Sequence, residues 1–195
     1  MVPHPEGRHE RLSDGIREIV RLRELGPKNP HWNRAWKRLL WRYEQELHQE
    51  VAMLQAKEYR LGRSFLGRLP AEGEIIATLA EFCREEGVQV GWISAIGTFR
   101  RAVLGYFDQQ KKEYQRIPVN EETEIVSCQG NISLKDGRPF VHLHALISGP
   151  DGVSWAGHLF EGTVFVGEFW LQEAEGPALE RKPDPQSGLA LWDME

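Results

Sequence analysis

Phe140-Val-His-Leu-His-Ala-Leu-Ile-Ser-Gly-Pro-Asp-Gly-Val-Ser-Trp-Ala-Gly-His-Leu-Phe160 is the stretch on which the fold turns. Apolar residues alternate with others on both sides of Gly149-Pro150-Asp151-Gly152, and that tetrad is strong turn chemistry. The pattern predicts a β-hairpin. Sorting apolar partners onto one face sets the expected register: Ile147 opposite Val153, Ala145 opposite Trp155, Leu143 opposite Gly157 and Val141 opposite Leu159. The other face then pairs Phe140 with Phe160, His142 with His158 and His144 with Ala156. A slip of one residue would mix the two faces. Residues two apart on a strand point the same way, and cross-strand Cβ atoms lie about 5 Å apart. Three of the chain's seven histidines therefore converge on one patch.

Neutral imidazole is a common metal ligand, and three imidazoles with an open fourth position make a usual catalytic zinc site. Imidazole-only ligation also suits nickel, copper or iron, and zinc is chosen by availability. His142, His144 and His158 are the candidate metal ligands. An open position could activate water for chemistry on a small molecule, or a neighbouring subunit could close it and make the site structural. Glu161 is the nearest carboxylate in sequence and the candidate general base. Strict alternation places it on the opposite face, unless a bulge at Gly162 re-aims it. No nucleophile elbow, phosphate-cradling glycine loop or Cys-His pair is visible, so no other cofactor site is expected.

Working outward, Asp136-Gly137 marks a further hairpin turn. Strands are expected over residues 59–66, 88–96, 102–107, 114–119 and 126–134, and Gly162-to-Glu173 closes the sheet. Pro70-Ala-Glu-Gly-Glu opens a helix with core positions Ile75, Ile76, Leu79, Ala80 and Phe82 or Cys83, ended by Gly87. The fold class is α+β, a mainly antiparallel β-sheet with one prominent helix, preceded by two N-terminal helices. The domain reading is an N-terminal helical extension over 1–57, the α+β domain over 58–174 and an irregular tail over 175–195. Within the extension, Trp32, Trp36, Leu40, Tyr43, Leu47, Val51 and Leu54 form a single apolar stripe. Arg34, Lys37, Arg38 and Arg42 flank its start. Packing outweighs nucleic-acid contact as the reading of this helix, because Glu44, Glu46 and Glu50 follow at once. The tail's Leu189-Ala-Leu-Trp192 patch is expected to dock on the body or on a neighbour.

The chain has 195 residues and a net charge of −5. Residues 57–195 carry fourteen Lys/Arg against twenty-one Asp/Glu, a balance of −7. That balance argues against a large nonspecific nucleic-acid surface. Two cysteines, Cys83 and Cys128, suggest a reducing compartment and no disulfide framework. No apolar run is long enough to span a membrane and no signal peptide is read, so a cytoplasmic protein is expected.

Six segments occur in a telling order: Leu61-Gly-Arg; the helix; Gly91-Trp-Ile-Ser-Ala-Ile-Gly97; Ala102-Val-Leu-Gly-Tyr-Phe-Asp108; Glu124-Ile-Val-Ser-Cys-Gln-Gly-Asn-Ile-Ser133; and His142-Leu-His with Gly157-His-Leu-Phe-Glu-Gly-Thr-Val164. Together they resemble the plant-and-prokaryote-conserved (PPC) domain in its stand-alone prokaryotic form, over about residues 58–173. The resemblance implies an α+β fold assembled as a homotrimer, with a metal site, zinc by implication, at His142, His144 and His158. Plant relatives join this domain to AT-hook segments that bind AT-rich DNA. Here there is no such hook. Asp136-Gly-Arg-Pro139 is only a near-match in a hairpin turn, whereas a minor-groove reader needs a flexible basic arm. Glu124-Ile-Val126 matches the end of the plant partner-binding motif, although a buried strand is the simpler reading. The functional expectation is a homotrimer with a three-histidine metal site, of unestablished activity, with DNA or protein association. The alternative is a metal-dependent enzyme acting on a small molecule at the same site.

Overall fold

Glu74 and Gly87 frame a helix that packs into the core. A computed structural model of the chain describes residues 55–194, together with Arg17, Arg21, Arg38, Trp41 and Arg42, each in helical conformation. The two expected N-terminal helices otherwise lie outside the described residues. The chain divides into two compact units, residues 1–56 and 57–195, and everything below concerns the second. Helix α1 (Ile75–Glu86) is capped by the Glu74 carboxylate, which accepts from Ile76 N at 3.2 Å and Ala77 N at 2.7 Å. The same carboxylate accepts from Gly162 N at 3.2 Å, tying the helix start to the sheet. Gly87 ends the helix in the left-handed region at φ 70°. Ile75, Leu79 and Cys83, four residues apart, form its buried stripe.

Six strands follow the predicted alternation: β1 (Arg60–Leu69), β2 (Gly91–Asp108), β3 (Glu113–Val119), β4 (Thr123–Lys135), β5 (Arg138–Ser148) and β6 (Ser154–Glu175). They form one antiparallel sheet in the order β1-β6-β5-β4-β2-β3, and β6 also pairs with β2, so the middle strands close on themselves. Asp136 and Gly137, at φ 53° and 70°, make the expected two-residue turn between β4 and β5. Ile93, Leu104, Ile132, Leu143, Ile147, Leu159 and Leu171 face inward and pack with the α1 stripe and Phe99.

Three expectations change. The segments read as separate strands over 88–96 and 102–107 are one long strand, β2, bent by register shifts between Ala95 and Arg101. The second arm of the histidine hairpin likewise runs on into the closing strand as β6. Each long strand serves two neighbours in turn, and local alternation cannot show where it changes partner. The tail, read as irregular, carries a small hairpin of β7 (Arg181–Pro183) and β8 (Ala190–Trp192). Its turn is held by the Asp184 carboxylate, which accepts from Ser187 N and Gln186 N, while Leu134 N donates to Leu179 O at 2.8 Å. Buried Leu179 anchors it.

The third change concerns the hairpin register. The pairs are Ile147 with Trp155, Ala145 with Gly157 and His144 with His158, not those expected. Pro150-Asp151-Gly152 forms a three-residue loop. Gly152 N donates to Gly149 O, Gly149 N donates to Val153 O, and Gly152 adopts φ 82°. Such a loop centres the hairpin on Asp151, which displaces each partner by two residues and keeps the paired residues of both strands on their predicted faces, whereas Val153, expected in the core, falls beside the loop and is exposed.

Candidate metal centre

The three histidines sit where β5 and β6 separate. β6 pairs with β5 only from Ser154 to His158; from His158 onward it pairs with β2. His144 and His158 are cross-strand partners at that fork, and His142 is the next outward residue of β5. The rings form a near-equilateral triangle, with centroids 5.2 Å apart for His142–His144, 5.0 Å for His142–His158 and 5.4 Å for His144–His158. One ring nitrogen from each lies within 4.8 Å of the others, and His142 Nε2 is 3.1 Å from His158 Nδ1. Two nitrogens bound tetrahedrally to one zinc ion, at about 2.0–2.1 Å each, lie roughly 3.3 Å apart. The described geometry is therefore close to that of a ligand set.

Electrostatics favour the ligand form of the rings. Burial pushes His142 down to about 4, helped by the charges of Arg181, His158 and His144. His158 is likewise pushed down to about 4 by burial, then by His144, Arg181 and Arg116. Burial also lowers His144. All three are neutral at pH 7, with lone pairs free of competition from protons. The donor set, three neutral imidazoles with neither carboxylate nor thiolate, suits a divalent ion of borderline softness.

The walls are aromatic and basic. Across the fork, His158 pairs with Gly105 of β2, which in turn pairs with Arg116 of β3. A Cβ on Gly105 would lie 2.4 Å from the Phe160 ring, so only glycine lets that ring fold over the strand. Phe160 and Tyr114 then stand 4.7 and 5.0 Å from the His158 ring. Arg116 stacks on Phe160 at 4.1 Å. On the other side, Arg181 of the tail hairpin reaches His142 Nδ1 at 3.3 Å.

Glu161 does reach the outer side, but by a different bulge from the one considered. Leu104 pairs with Leu159 and Val103 with Glu161, so Phe160 is the extra residue and both it and Glu161 point outward. There Glu161 is exposed and meets Arg116 Nη1 at 3.5 Å, and it is not among the clustered ligand atoms. Arg181, Asn131, Tyr114 and Arg116 are site residues that the sequence reading missed. The Asp184-Pro-Gln-Ser-Gly188 turn was the available signal for Arg181, because it announces a hairpin with that residue on one arm. Cys83 and Cys128 are buried, and burial pushes both thiols up to about 12, so neither serves as a ligand or nucleophile.

A family model for the Plants and Prokaryotes Conserved (PCC) domain matches residues 56–175. Among solved structures, a plant- and prokaryote-conserved protein of Pyrococcus horikoshii is 44% identical, with a TM-score of 0.69 over 72% of this chain and 97% of that one. A metal-containing protein from Archaeoglobus fulgidus is 43% identical, with a TM-score of 0.69 over 71% and 99%. A Bacteroides thetaiotaomicron protein described as a candidate DNA-binding protein is 28% identical, with a TM-score of 0.63 over 71% and 99%. Two curated relatives, each a bifunctional protein GlmU from a Synechococcus strain, are 32% identical over 120 residues and 30% over 113, and the chain spans only 18% and 17% of their lengths.

Proposed function

Because this chain belongs to the Plants and Prokaryotes Conserved domain family, we propose that it is a metal-binding assembly module, a homotrimer in which His142, His144 and His158 hold a divalent ion. The observation that carries the reading is the triangle of neutral imidazoles, whose ring nitrogens lie within 4.8 Å of one another. Zinc is the ion proposed, since imidazole donors and tetrahedral spacing suit it. Bound there, it would supply Lewis acidity and a fourth position open to water or to a ligand.

The outer face of the sheet supports assembly. Leu66 pairs with Trp170, Trp170 with Ser94, and Trp92 and Ile96 flank Ser94 on the same face. Leu66 is 83% exposed and Trp170 53%, an apolar patch of the kind that marks an interface. His142, Asn131 and Trp92 stand in one row across that face. A second copy seated on the patch would thus also wall the metal centre.

A set of three donors, which would leave one position of a bound ion open, supports a second reading, metal-dependent chemistry on a small molecule, with Glu161 as the carboxylate nearest in sequence. DNA association, suggested by what the Bacteroides protein is described to be, is the weaker proposal, because residues 57–195 carry a balance of −7. No helix among the described residues is long and apolar enough to cross a membrane. The two buried free thiols suit a reducing compartment, and we place the protein in the cytoplasm.

The test is metal analysis of the native protein beside His142→Ala. One bound ion per chain, lost in the variant, is expected. A metal-free native protein that takes up no zinc overturns the reading.

A further inference from the structure

Arg181 occupies the back of the imidazole triangle with its hydrogen bonds already assigned. Nε donates to Ser133 Oγ at 2.8 Å and Nη1 to Ala190 O at 2.9 Å. Nη2 donates to Asn131 Oδ1 at 3.0 Å and meets His142 Nδ1 at 3.3 Å. The guanidinium carbon is 5.1 Å from the Phe140 ring centroid and 5.7 Å from that of Trp192. A guanidinium only donates, so His142 Nδ1 must accept. The proton of the neutral ring is then on Nε2, which faces His158 Nδ1 at 3.1 Å and can donate to it. Arg181, His142 and His158 form a complete donor chain without any metal.

An ion at the centre reverses that assignment. His142 holding an ion through Nε2 would give up that lone pair and carry the proton of the neutral ring on Nδ1. Two donors, Nδ1–H and Nη2–H, would then face each other, and a fixed positive charge would stand behind a ligand of a dication. A metal-bound histidine normally gives its other N–H to an acceptor. Asn131, the cross-strand partner of His142, carries an amide oxygen, but that oxygen accepts from Arg181, and the group that meets His142 Nδ1 is the Arg181 donor.

Resting on the reading of the three imidazoles as a metal centre, we propose that Arg181 and a divalent ion exclude each other at His142, so that metal binding releases the C-terminal hairpin and docking of the hairpin opposes metal binding. Buried Leu179 keeps the tail attached, so release is confined to the residues that follow it. The coupling is reciprocal by thermodynamic necessity.

Two measurements on the full metal-stripped chain test this. Zinc titration should show Arg181→Gln binding about tenfold or more tightly than the native protein, a coupling of ordinary size. Hydrogen exchange of the native protein should show that zinc removes protection from the hairpin amides, among them Asp184, which donates to Leu189 O, and Asp193, which donates to Glu180 O. This second measurement stands even if the variant fails to fold. Equal zinc affinity in a folded variant, or hairpin protection retained in zinc-loaded native protein, overturns the exclusion and leaves the metal centre intact. Zinc binding by neither form overturns both readings together.

Discussion

Acidification should loosen the metal-free fold in a window set by the imidazoles. In the unfolded chain a histidine titrates near 6.5, whereas His142 and His158 are pushed down to about 4 in the fold, mainly by burial. The unfolded state therefore binds more protons between about 6.5 and 4, and stability falls with pH across that window. Stability contributed by the neutral rings is fully present above 6.5 and is lost as pH falls toward 4. Lowering the pH from about 7.5 to about 5 costs roughly 2 kcal/mol for each ring by linkage alone. Both rings are only half-buried, so solvent screening reduces this, by about half, to roughly 2 kcal/mol for the pair. Urea unfolding in the presence of a chelator, at the two pH values and one protein concentration, measures it. The double variant His142→Asn, His158→Asn supplies the baseline. Glu173, held below the usual carboxylate range by its hydrogen bond and charge pairing with Arg63, is common to native protein and double variant and so drops out of the comparison. An equal loss of stability in native and double-variant protein would refute the reasoning.

Other perturbations probe the frame around the centre. Leu143→Ala, at a fully buried position one residue from His142 and His144, should cost about 2–5 kcal/mol in chemical denaturation. Glu74→Ala removes the helix cap and its bond to Gly162 N, and should cost about 0.5–2 kcal/mol; a neutral result would show that water replaces the cap. Gly105→Val drives a side chain into the Phe160 ring, with an expected loss of about 1–3 kcal/mol and weaker zinc uptake. Trp170→Glu on the apolar outer face should shift sedimentation from the proposed trimer to monomer. An unchanged oligomer would place the subunit contact elsewhere.

Much of the sheet was legible because a half-buried antiparallel strand writes its faces into alternate residues. The face shared by His142 and His144 followed from parity alone. Placing His158 with them needed only that the hairpin register be even, and a displacement of two residues preserves that parity. What parity could not supply was the exact partner. That depended on whether Pro150-Asp151-Gly152 closes as a three-residue loop, a property of Gly152 in the left-handed region. Long strands that exchange partners were illegible for a different reason. β2 keeps a regular pattern on either side of its bends, while the neighbours that justify each half are dozens of residues away.

The remainder of the centre was hidden because its chemistry crosses the sequence. Arg181 is 39 residues from His142 and arrives on a hairpin whose strands are three residues each, too short for periodicity to declare. Tyr114 reaches His158, and Arg116 the adjacent Phe160, across Gly105 on β2, which has no side chain to stand in the way. The same absence explains Glu161. A bulge at Phe160 turns both residues outward, yet Arg116, not an imidazole, is the partner that Glu161 meets. A three-histidine pattern thus pointed to imidazoles that the fold does bring together. The groups that set its charge, its proton arrangement and its access lie on strands that nothing local connects to it. For that reason Arg181→Gln and the hairpin amides, rather than a further histidine variant, are where the behaviour of the centre is decided.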